Sequence, residues 1–351
     1  MAGGIGSRFW PMSRTSYPKQ FLDILNTGKT LLQSTFERFS TFVPHENIFI
    51  ITSQEYVSIV AAQLPGLPFE NIIGEPERKN TAPCIALISL KLMKQNPDAN
   101  LIVAPSDHMI DNQTAFTEDC MAALNYTATH NAFVTLGIKP TYANTGYGYI
   151  QFENNASTKG IHTVKRFTEK PNKETAIEFF KSGCYLWNSG IFIWKAKDII
   201  TAFRLFMPDM FDIFSCGLKD LNTENEAAAV KHIYKHCASI SIDYAILEKA
   251  ENVHVIPASF DWSDLGTWTS AWENFEKDNA QNAVAGDNTL MVDANGCIVH
   301  STDKKLVLVG GINDLIVVNT PDALLICKKE NEQQIKDYLV KVKEAGGELY
   351  L

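Results

Sequence analysis

The chain has 351 residues, 45% of them hydrophobic and 20% charged, which is enough for one large globular domain and a smaller one. Its net charge of −9 argues against a nucleic-acid-binding surface, because contact with a phosphate backbone requires a surplus of lysine and arginine. No apolar run approaches the roughly 18 residues of a membrane span, and no signal-peptide pattern opens the chain. The seven scattered cysteines, without a C-x-x-C pair, favour reduced thiols in a cytoplasmic protein.

The first candidate functional element is a glycine-rich turn, Gly3–Gly6, followed by Ser7 and Arg8. Because glycine has no Cβ, successive backbone N–H groups in such a turn can close around phosphate oxygens, and Arg8 and Lys19 add positive charge. A dinucleotide fingerprint G-x-G-x-x-G is excluded, since its third glycine would fall on Phe9. The pattern predicts a nucleoside triphosphate site, with an ordinary turn as the alternative.

A phosphate loop of this kind normally follows a buried strand, yet only Met1 and Ala2 precede the glycines. We therefore expect a further apolar strand upstream of Met1 in the native chain. The triplet Gly28-Lys29-Thr30 resembles the end of a P-loop, but Asp23 stands where that motif requires glycine. We interpret the triplet as a turn before a helix, Thr30–Phe42.

Short apolar runs alternate with amphipathic stretches through the first half of the chain. Strands are predicted at Ile48–Thr52 and Leu101–Pro105, and helices at Gln54–Gln63, Thr81–Asn96 and Thr114–His130. This alternation is typical of an α/β fold in which helices cover both faces of a mixed, mostly parallel sheet. Ligands of such sheets lie beyond the carboxyl ends of the strands, so polar residues that directly follow apolar runs are the first candidates.

Several polar residues occupy such positions. Asp107 follows an apolar strand, Glu169 and Lys170 end another, Asn188 lies between two apolar runs, and Asp264 opens a helix between two tryptophans. Each has a structural alternative without function: Asp107 and Asp264 could cap a helix or turn, Glu169 and Lys170 could form an exposed ion pair, and Asn188 could belong to a hairpin turn. The residues alone leave both interpretations open.

After about Ala283 the pattern changes to short strands separated by Gly, Asn and Asp, followed by a helix Glu332–Ala345. The strands are predicted at Cys297–Ser301, Leu306–Val309, Leu315–Asn319 and Leu324–Cys327. We therefore divide the chain into a domain of residues 1–282 and a β-rich domain of residues 283–351 that ends in a helix. The near-regular strand spacing fits the rungs of a β-solenoid and fits a meander equally well.

Seven motifs, in their order and spacing, resemble those of the bacterial mannose-1-phosphate guanylyltransferases over nearly the whole chain. They are Gly3-Gly-Ile-Gly-Ser-Arg8, Pro18-Lys-Gln20, Glu75-Pro-Glu-Arg-Lys-Asn-Thr-Ala-Pro83, Pro105-Ser-Asp-His108, Glu169-Lys-Pro171, Asn188-Ser-Gly190 and Trp262-Ser-Asp-Leu-Gly-Thr-Trp268. The resemblance implies a Rossmann-like, glycosyltransferase-A-like nucleotidyltransferase domain with a small β-helix-like domain behind it. It also implies that GTP and mannose 1-phosphate react with the help of Mg²⁺ to give GDP-mannose and diphosphate, and, by analogy, that the protein is a homodimer.

The resemblance further implies a role for each matching residue. Arg8 and Lys19 would hold the triphosphate and stabilise the charge of the leaving group, and Asp107 and Asp264 would hold Mg²⁺. The nucleotide-binding residues would be Gly3, Gly4, Gly6, Ser7, Glu75, Asn80, Thr81 and Ala82. The sugar-phosphate-binding residues would be Gly146, Gly148, Glu169, Lys170 and Asn188.

Two alternatives remain at this stage. Residues that handle phosphate do not select the base or the sugar, so a related nucleotidyltransferase with other substrates has the same pattern. A non-catalytic regulatory protein that binds GDP-mannose is the second, although the charged residues expected of an enzyme are all present. The resemblance does not extend to the isomerase-like half of the longer family members, so phosphomannose isomerase activity is not expected.

Overall fold

The computed structural model describes residues 1–153 and 160–351. The α-helices in these ranges are α1 Leu31–Ser40, α2 Val57–Gln63, α3 Thr81–Gln95, α4 Gln113–Thr129, α5 Lys173–Ser182, α6 Ala196–Phe206, α7 Pro208–Gly217, α8 Glu226–His236, α9 Trp268–Asn274 and α10 Ile335–Glu344. None of these described helices is long and apolar enough to cross a membrane.

The strands of the larger domain are β1 Ile50–Ser53, β2 Ile72–Glu75, β3 Asn100–Val103, β4 Met109–Ile110, β5 Phe133–Ile138, β6 Tyr149–Phe152, β7 His162–Thr168, β8 Tyr185–Lys195, β9 Val253–Pro257 and β10 Trp262–Ser263. Those of the smaller domain are β11 Ala283–Ala285, β12 Thr289–Val292, β13 Ile298–Ser301, β14 Val307–Gly310, β15 Leu315–Asn319 and β16 Leu324–Lys328. Thr30 is the N-cap of α1. Its hydroxyl accepts from the Gln33 N–H, and the Gln33 side chain accepts from the Thr30 N–H. The chain turns at Gly28, which has φ +82°, so the predicted turn before this helix is confirmed.

A six-stranded sheet in the order β3-β8-β5-β9-β7-β6 forms the centre of the larger domain. Strands β3, β5, β6 and β9 run in one direction and β7 and β8 in the other, so the expected mixed sheet is confirmed. Most hydrogen-bonded neighbours are nevertheless antiparallel, because β7 and β8 each lie between strands of opposite direction. The apolar periodicity could not reveal this, since it reports burial and not strand direction.

Strands β1 and β2 form a separate parallel pair on the β3 side of the domain. The start of the chain lies between β1 and β3: the Ala2 N–H donates to the Ile51 carbonyl at 2.8 Å, and the Met1 amino group donates to the Ala104 carbonyl at 2.8 Å. An apolar cavity of about 510 Å³ is lined by Met1, by both strands and by the helices beside them. The expected upstream strand stays a prediction, and this cavity has the position such a strand would take.

The smaller domain is a short β-helix. Strands β11, β13 and β15 pair in parallel on one side, β12 and β14 pair in parallel on the other, and β16 closes the first sheet in antiparallel orientation. Cys297, Val299, Val309 and Val317 fill the space between the two sheets. Of the two possibilities that the strand spacing left open, the structure has the solenoid.

One hydrophobic cluster joins the two domains. Phe9 and Trp268 of the larger domain pack in the same cluster as Ile298 and Ile316 of the β-helix and Ile335 of α10. All five side chains are at most 1% exposed. The cluster therefore fixes the β-helix and its terminal helix against the loop that carries the glycine-rich motif.

Candidate active site

The glycine-rich loop closes against Lys19. Gly6 has φ +66°, and a Cβ at this position would lie 2.4 Å from the Cβ of Lys19, so only glycine fits. A single 3₁₀ turn, Ser7–Phe9, follows and carries Arg8. Gly3 lies near Glu75, since a Cβ on Gly3 would be 4.0 Å from Glu75 Oε2, whereas a Cβ on Gly4 would meet nothing within 4 Å. The loop is therefore packed against Lys19 at Gly6 and open at Gly4.

Lys19 connects the glycine loop to both predicted metal ligands. It is only 4% exposed, and its Nζ donates to the carbonyl oxygens of Asp264 and Leu265 at 2.9 and 3.0 Å. The same Nζ lies 3.0 Å from Asp107 Oδ2. Three oxygens therefore hold one buried ammonium group at the centre of the site.

Asp107 and Asp264 are brought together by the antiparallel pair β4 and β10, in which Ser263 lies opposite Met109. Asp264 directly follows β10, and one residue, His108, separates Asp107 from the start of β4. Neither aspartate caps a helix, because the N-caps of α4 and α9 are Asn112 and Thr267. The helix-capping alternative is therefore wrong for both residues.

The two carboxylates differ in their partners. Asp264 Oδ1 accepts hydrogen bonds from the Tyr147 hydroxyl and the Gly266 N–H, both at 2.9 Å. Burial is the largest single effect and favours the neutral form of Asp107, but the charge of Lys19, its hydrogen bond and other positive groups nearby together outweigh it, so the pKa of Asp107 lies below its usual value. Asp107 is therefore ionised at neutral pH despite its partial burial.

Aromatic side chains pack around the two aspartates. The Trp262 ring lies edge-on to His108 at 5.3 Å and edge-on to Tyr147 at 5.3 Å. The Trp262 Nε1–H also donates to His108 Nδ1 at 3.1 Å. Trp262 therefore connects His108, which follows Asp107, to Tyr147, which donates to Asp264. The sequence analysis assigned no role to Trp262 or Tyr147.

The nucleotide-side residues gather at the start of α3. Asn80 has φ +68° and its side chain accepts from the Thr81 N–H at 2.9 Å, whereas the Thr81 hydroxyl accepts from the Ile242 N–H at 2.8 Å. Ala82 is fully buried, and its N–H donates to the Ile240 carbonyl. Thr81 and Ala82 thus anchor the helix, and Asn80 is the exposed member of the three. Their contact with a nucleotide stays a prediction.

Glu75 ends β2 in a largely buried position beside Gly3. Its Oε1 accepts a hydrogen bond from the buried Tyr234 hydroxyl at 2.7 Å. Burial raises the pKa of Glu75 to about 7, although the Tyr234 hydrogen bond and the amino group of the chain oppose the shift. The carboxyl group therefore titrates near physiological pH.

The predicted sugar-phosphate residues form one cluster. A Cβ on Gly148 would lie 2.5 Å from Glu169 Oε2 and 3.3 Å from the Asn188 Cβ, so these three residues are in contact. Lys170 Nζ lies 2.7 Å from Glu169 Oε1, and the Glu169 side chain is 7% exposed while that of Lys170 is 58% exposed. Asn188 lies within the continuous strand β8, so the hairpin-turn alternative is wrong. Gly146 lies nearby in an exposed turn.

Asp243 belongs to this cluster and was missed by the sequence analysis. Asn188 Nδ2 donates to Asp243 Oδ1 at 2.9 Å, and Asn188 Oδ1 accepts from the Thr135 hydroxyl at 3.2 Å. Burial, together with the charge of Glu169, raises the pKa of Asp243. An aspartate within the apolar run Ile240–Leu247 was the available signal, because a buried carboxyl group requires a partner.

The fold and this site define a nucleotidyltransferase, and comparison with known proteins agrees. Residues 1–281 match the family model described as nucleotidyl transferase, and residues 287–342 match one described as a MannoseP isomerase/GMP-like beta-helix domain. The chain therefore belongs to the nucleotidyl transferase family.

Individual relatives indicate which kind of nucleotidyltransferase this chain is similar to. A protein from Escherichia coli named mannose-1-phosphate guanylyltransferase is 39% identical over 342 residues, which cover 96% of this chain and 71% of the relative. The alginate biosynthesis protein AlgA of Pseudomonas aeruginosa is 36% identical over 351 residues, covering 99% and 72%. A crystal structure from Thermus thermophilus, described as a mannose-1-phosphate geranyltransferase, has a TM-score of 0.87 and 30% identity over 98% of both chains. These relatives confirm the resemblance inferred from the seven motifs.

Proposed function

We propose that this protein is a mannose-1-phosphate guanylyltransferase, which converts GTP and mannose 1-phosphate to GDP-mannose and diphosphate. The observation that carries the proposal is the position of Lys19, which is packed against Gly6 and bonded to Asp107 and to the backbone at Asp264. This arrangement brings the glycine-rich loop, a buried cation, the carboxylate of Asp107 and the backbone of Asp264 to one point. Relatives named for this activity support the choice of substrates.

The reaction requires alignment and charge neutralisation more than proton transfer. An oxygen of mannose 1-phosphate forms a bond to the α-phosphorus of GTP, and the bond from that phosphorus to the oxygen bridging to the β-phosphate breaks, so diphosphate leaves with the electron pair. The attacking oxygen is already an anion, and no general base is needed. In this proposal Arg8 and Lys19 bind the triphosphate and stabilise the charge that builds on the leaving group.

The residues fit a magnesium ion. Mg²⁺ prefers oxygen ligands and is commonly held by one or two carboxylates together with substrate phosphates. Asp107 and Asp264 supply two carboxylates from adjacent strand ends, and within the described residues Asp264 Oδ2 accepts no hydrogen bond. When bound, the ion would neutralise charge on the reacting phosphates. The hydrogen bonds from Tyr147 and Gly266 orient the Asp264 carboxylate for this purpose.

The sugar phosphate would bind beside the Gly148 cluster. Lys170 would contact its phosphate, and Glu169 and Asn188 would hydrogen-bond the sugar hydroxyls. The Glu169 side chain is almost fully buried and, among the described hydrogen bonds, its carboxylate accepts from Lys170, so a further hydrogen bond from a ligand hydroxyl would stabilise it. The absence of a side chain at Gly148 leaves the space that Glu169 Oε2 occupies.

Pyrophosphate release tests the proposal directly. We would measure it with each of GTP, ATP, UTP and dTTP against mannose 1-phosphate and glucose 1-phosphate, with Mg²⁺ and after chelation. Release specific to GTP and mannose 1-phosphate, and abolished by the chelator, is the expected result. Preference for another pair would replace the substrates, and folded protein that binds GDP-mannose without any turnover would favour the regulatory alternative.

A further inference from the structure

Helix α10 of the C-terminal domain carries a lysine to the edge of the site. Ile335 is fully buried in the same cluster as Phe9, and α10 packs against the turn Ser7–Phe9 that contains Arg8. Lys336 follows Ile335 directly and is exposed. The domain junction therefore places Lys336 beside the loop that carries Arg8.

Three cations converge at this junction. Arg8, by the larger effect, and Lys170 both lower the pKa of Lys336, and partial burial adds to the shift. Lys336 consequently lies within electrostatic range of the glycine loop and of the sugar-phosphate cluster at the same time. The sequence analysis expected no residue of the C-terminal domain at the site.

Two of these three cations lack a matching carboxylate among the described residues. Among the ion pairs of the described residues, Lys170 pairs with Glu169, and neither Arg8 nor Lys336 takes part in any. Within the same residues, the Nε of Arg8 is buried and has no hydrogen-bond partner. A group of cations held together without counter-charge is unfavourable, and an unpaired buried donor adds to the cost. A bound polyanion removes both penalties.

We propose that Lys336 binds phosphate oxygens of the substrates, so that the C-terminal domain completes the active site. The ligand is a di- or triphosphate held between Arg8 and Lys336. This inference rests on the proposed function, because it takes the triphosphate and the sugar phosphate to lie between the glycine loop and Lys170. It adds a binding residue from a domain to which no part of the reaction was assigned.

Replacement of Lys336 tests the inference. We would compare Lys336→Met and Lys336→Arg with Lys341→Met, an exposed lysine five residues further along the same helix. Lys336→Met should lower kcat/KM for GTP by about tenfold or more, because a charge-assisted phosphate contact is lost. Lys336→Arg should recover most of the activity, Lys341→Met should equal the unmodified protein, and the melting temperature should stay unchanged in all three.

A binding measurement separates failure of this inference from failure of the proposed function. Calorimetric titration with inorganic pyrophosphate and Mg²⁺ needs no turnover, and Lys336→Met should weaken the affinity by about fivefold or more. An unmodified protein that releases no pyrophosphate from any substrate pair would refute the proposed function, while a weaker affinity of Lys336→Met would still support the phosphate contact. Equal affinity and equal kcat/KM for Lys336→Met and Lys341→Met would overturn the inference.

Discussion

The Nζ of Lys19 lies 3.0 Å from Oδ2 of Asp107, and the same ammonium group also binds the backbone carbonyls of Asp264 and Leu265. One side chain thereby links the glycine-rich loop to the carboxylate of Asp107 and to the backbone at Asp264. Its charge also keeps Asp107 ionised, although burial opposes this.

Lys19→Met should be both less active and less stable. The change leaves Asp107 without its counter-charge and two carbonyl oxygens without their donor, which costs about 3 kcal/mol of unfolding free energy. Turnover should fall by roughly a hundredfold or more, since an electrostatic contact to the leaving group is lost. Chemical denaturation and pyrophosphate release measure the two effects, and an unchanged unfolding free energy would contradict the structural role of the lysine.

Asp107→Asn and Asp264→Asn should each lower turnover by orders of magnitude and leave the fold intact. The amide keeps the shape of the side chain but removes the charge that a divalent cation requires. Asp261→Asn, an exposed aspartate in the same segment, is the matched control. A near-normal rate for either of the first two variants would remove that residue from the proposed metal site.

Asp243→Ala should act through Asn188. The carboxyl group accepts from Asn188 Nδ2, so its removal frees the amide to rotate. We expect KM for mannose 1-phosphate to rise about tenfold, with KM for GTP nearly unchanged, because a positioning hydrogen bond is lost on the sugar side alone. Glu248→Ala is the control, since among the described hydrogen bonds the Glu248 carboxylate accepts from the backbone N–H of Glu169 and does not contact Asn188. Equal changes in both KM values would indicate a general loss of structure.

Glu75→Gln should stabilise the protein at alkaline pH. The pKa of Glu75 is about 7 in the folded protein against 4.5 as its ordinary value, so the folded state holds the proton more tightly and the unfolding free energy falls as pH rises between these values. The amide can still accept from Tyr234 and carries no such penalty. At pH 8 the variant should gain up to about 3 kcal/mol over the unmodified protein. At pH 4.5 the two should be similar, and thermal unfolding at both pH values decides the matter.

An apolar strand added ahead of Met1 should raise the melting temperature by several degrees. Such a strand would fill the cavity of about 510 Å³ beside Met1 and extend the hydrogen bonding that Met1 and Ala2 make between β1 and the segment after β3. Burial of apolar side chains supplies the stabilisation. An extension of equal length that alternates Gly and Ser is the control, and equal melting temperatures for both would show that the cavity does not accept a strand.

Local patterns in the sequence predicted half of the described α-helices and fewer than half of the strands, because amphipathic periodicity is set by a few neighbouring residues. Helix α3 begins at the predicted Thr81, and α1 begins one residue after the predicted Thr30, which is its N-cap. Strand direction was not predictable, since β8 pairs with β3 and β5 through contacts that lie far apart in the chain. Strand spacing alone does not distinguish a β-helix from a meander, whereas the parallel pairing of β11, β13 and β15 does.

The residues of the candidate site also fall into those that the sequence revealed and those that it did not. Residues in motifs, such as Arg8, Lys19 and Asp107, were found because their chemistry is visible in the local sequence. Asp243 was missed although its position in an apolar run was a local signal, and Lys336 was missed because it approaches Arg8 only through the packing of α10.

The hydrophobic cluster shared by Phe9, Trp268 and Ile335 has a consequence for how the molecule can be divided. Cutting the chain near residue 282 would uncover the apolar underside of the catalytic loop, so the larger domain alone should aggregate or bind substrate poorly. Heat should unfold both parts in one cooperative transition, since unfolding of either part would expose the other part's share of this cluster. Exchange of β-helices between relatives would then require the facing residues of the loop to be exchanged with them.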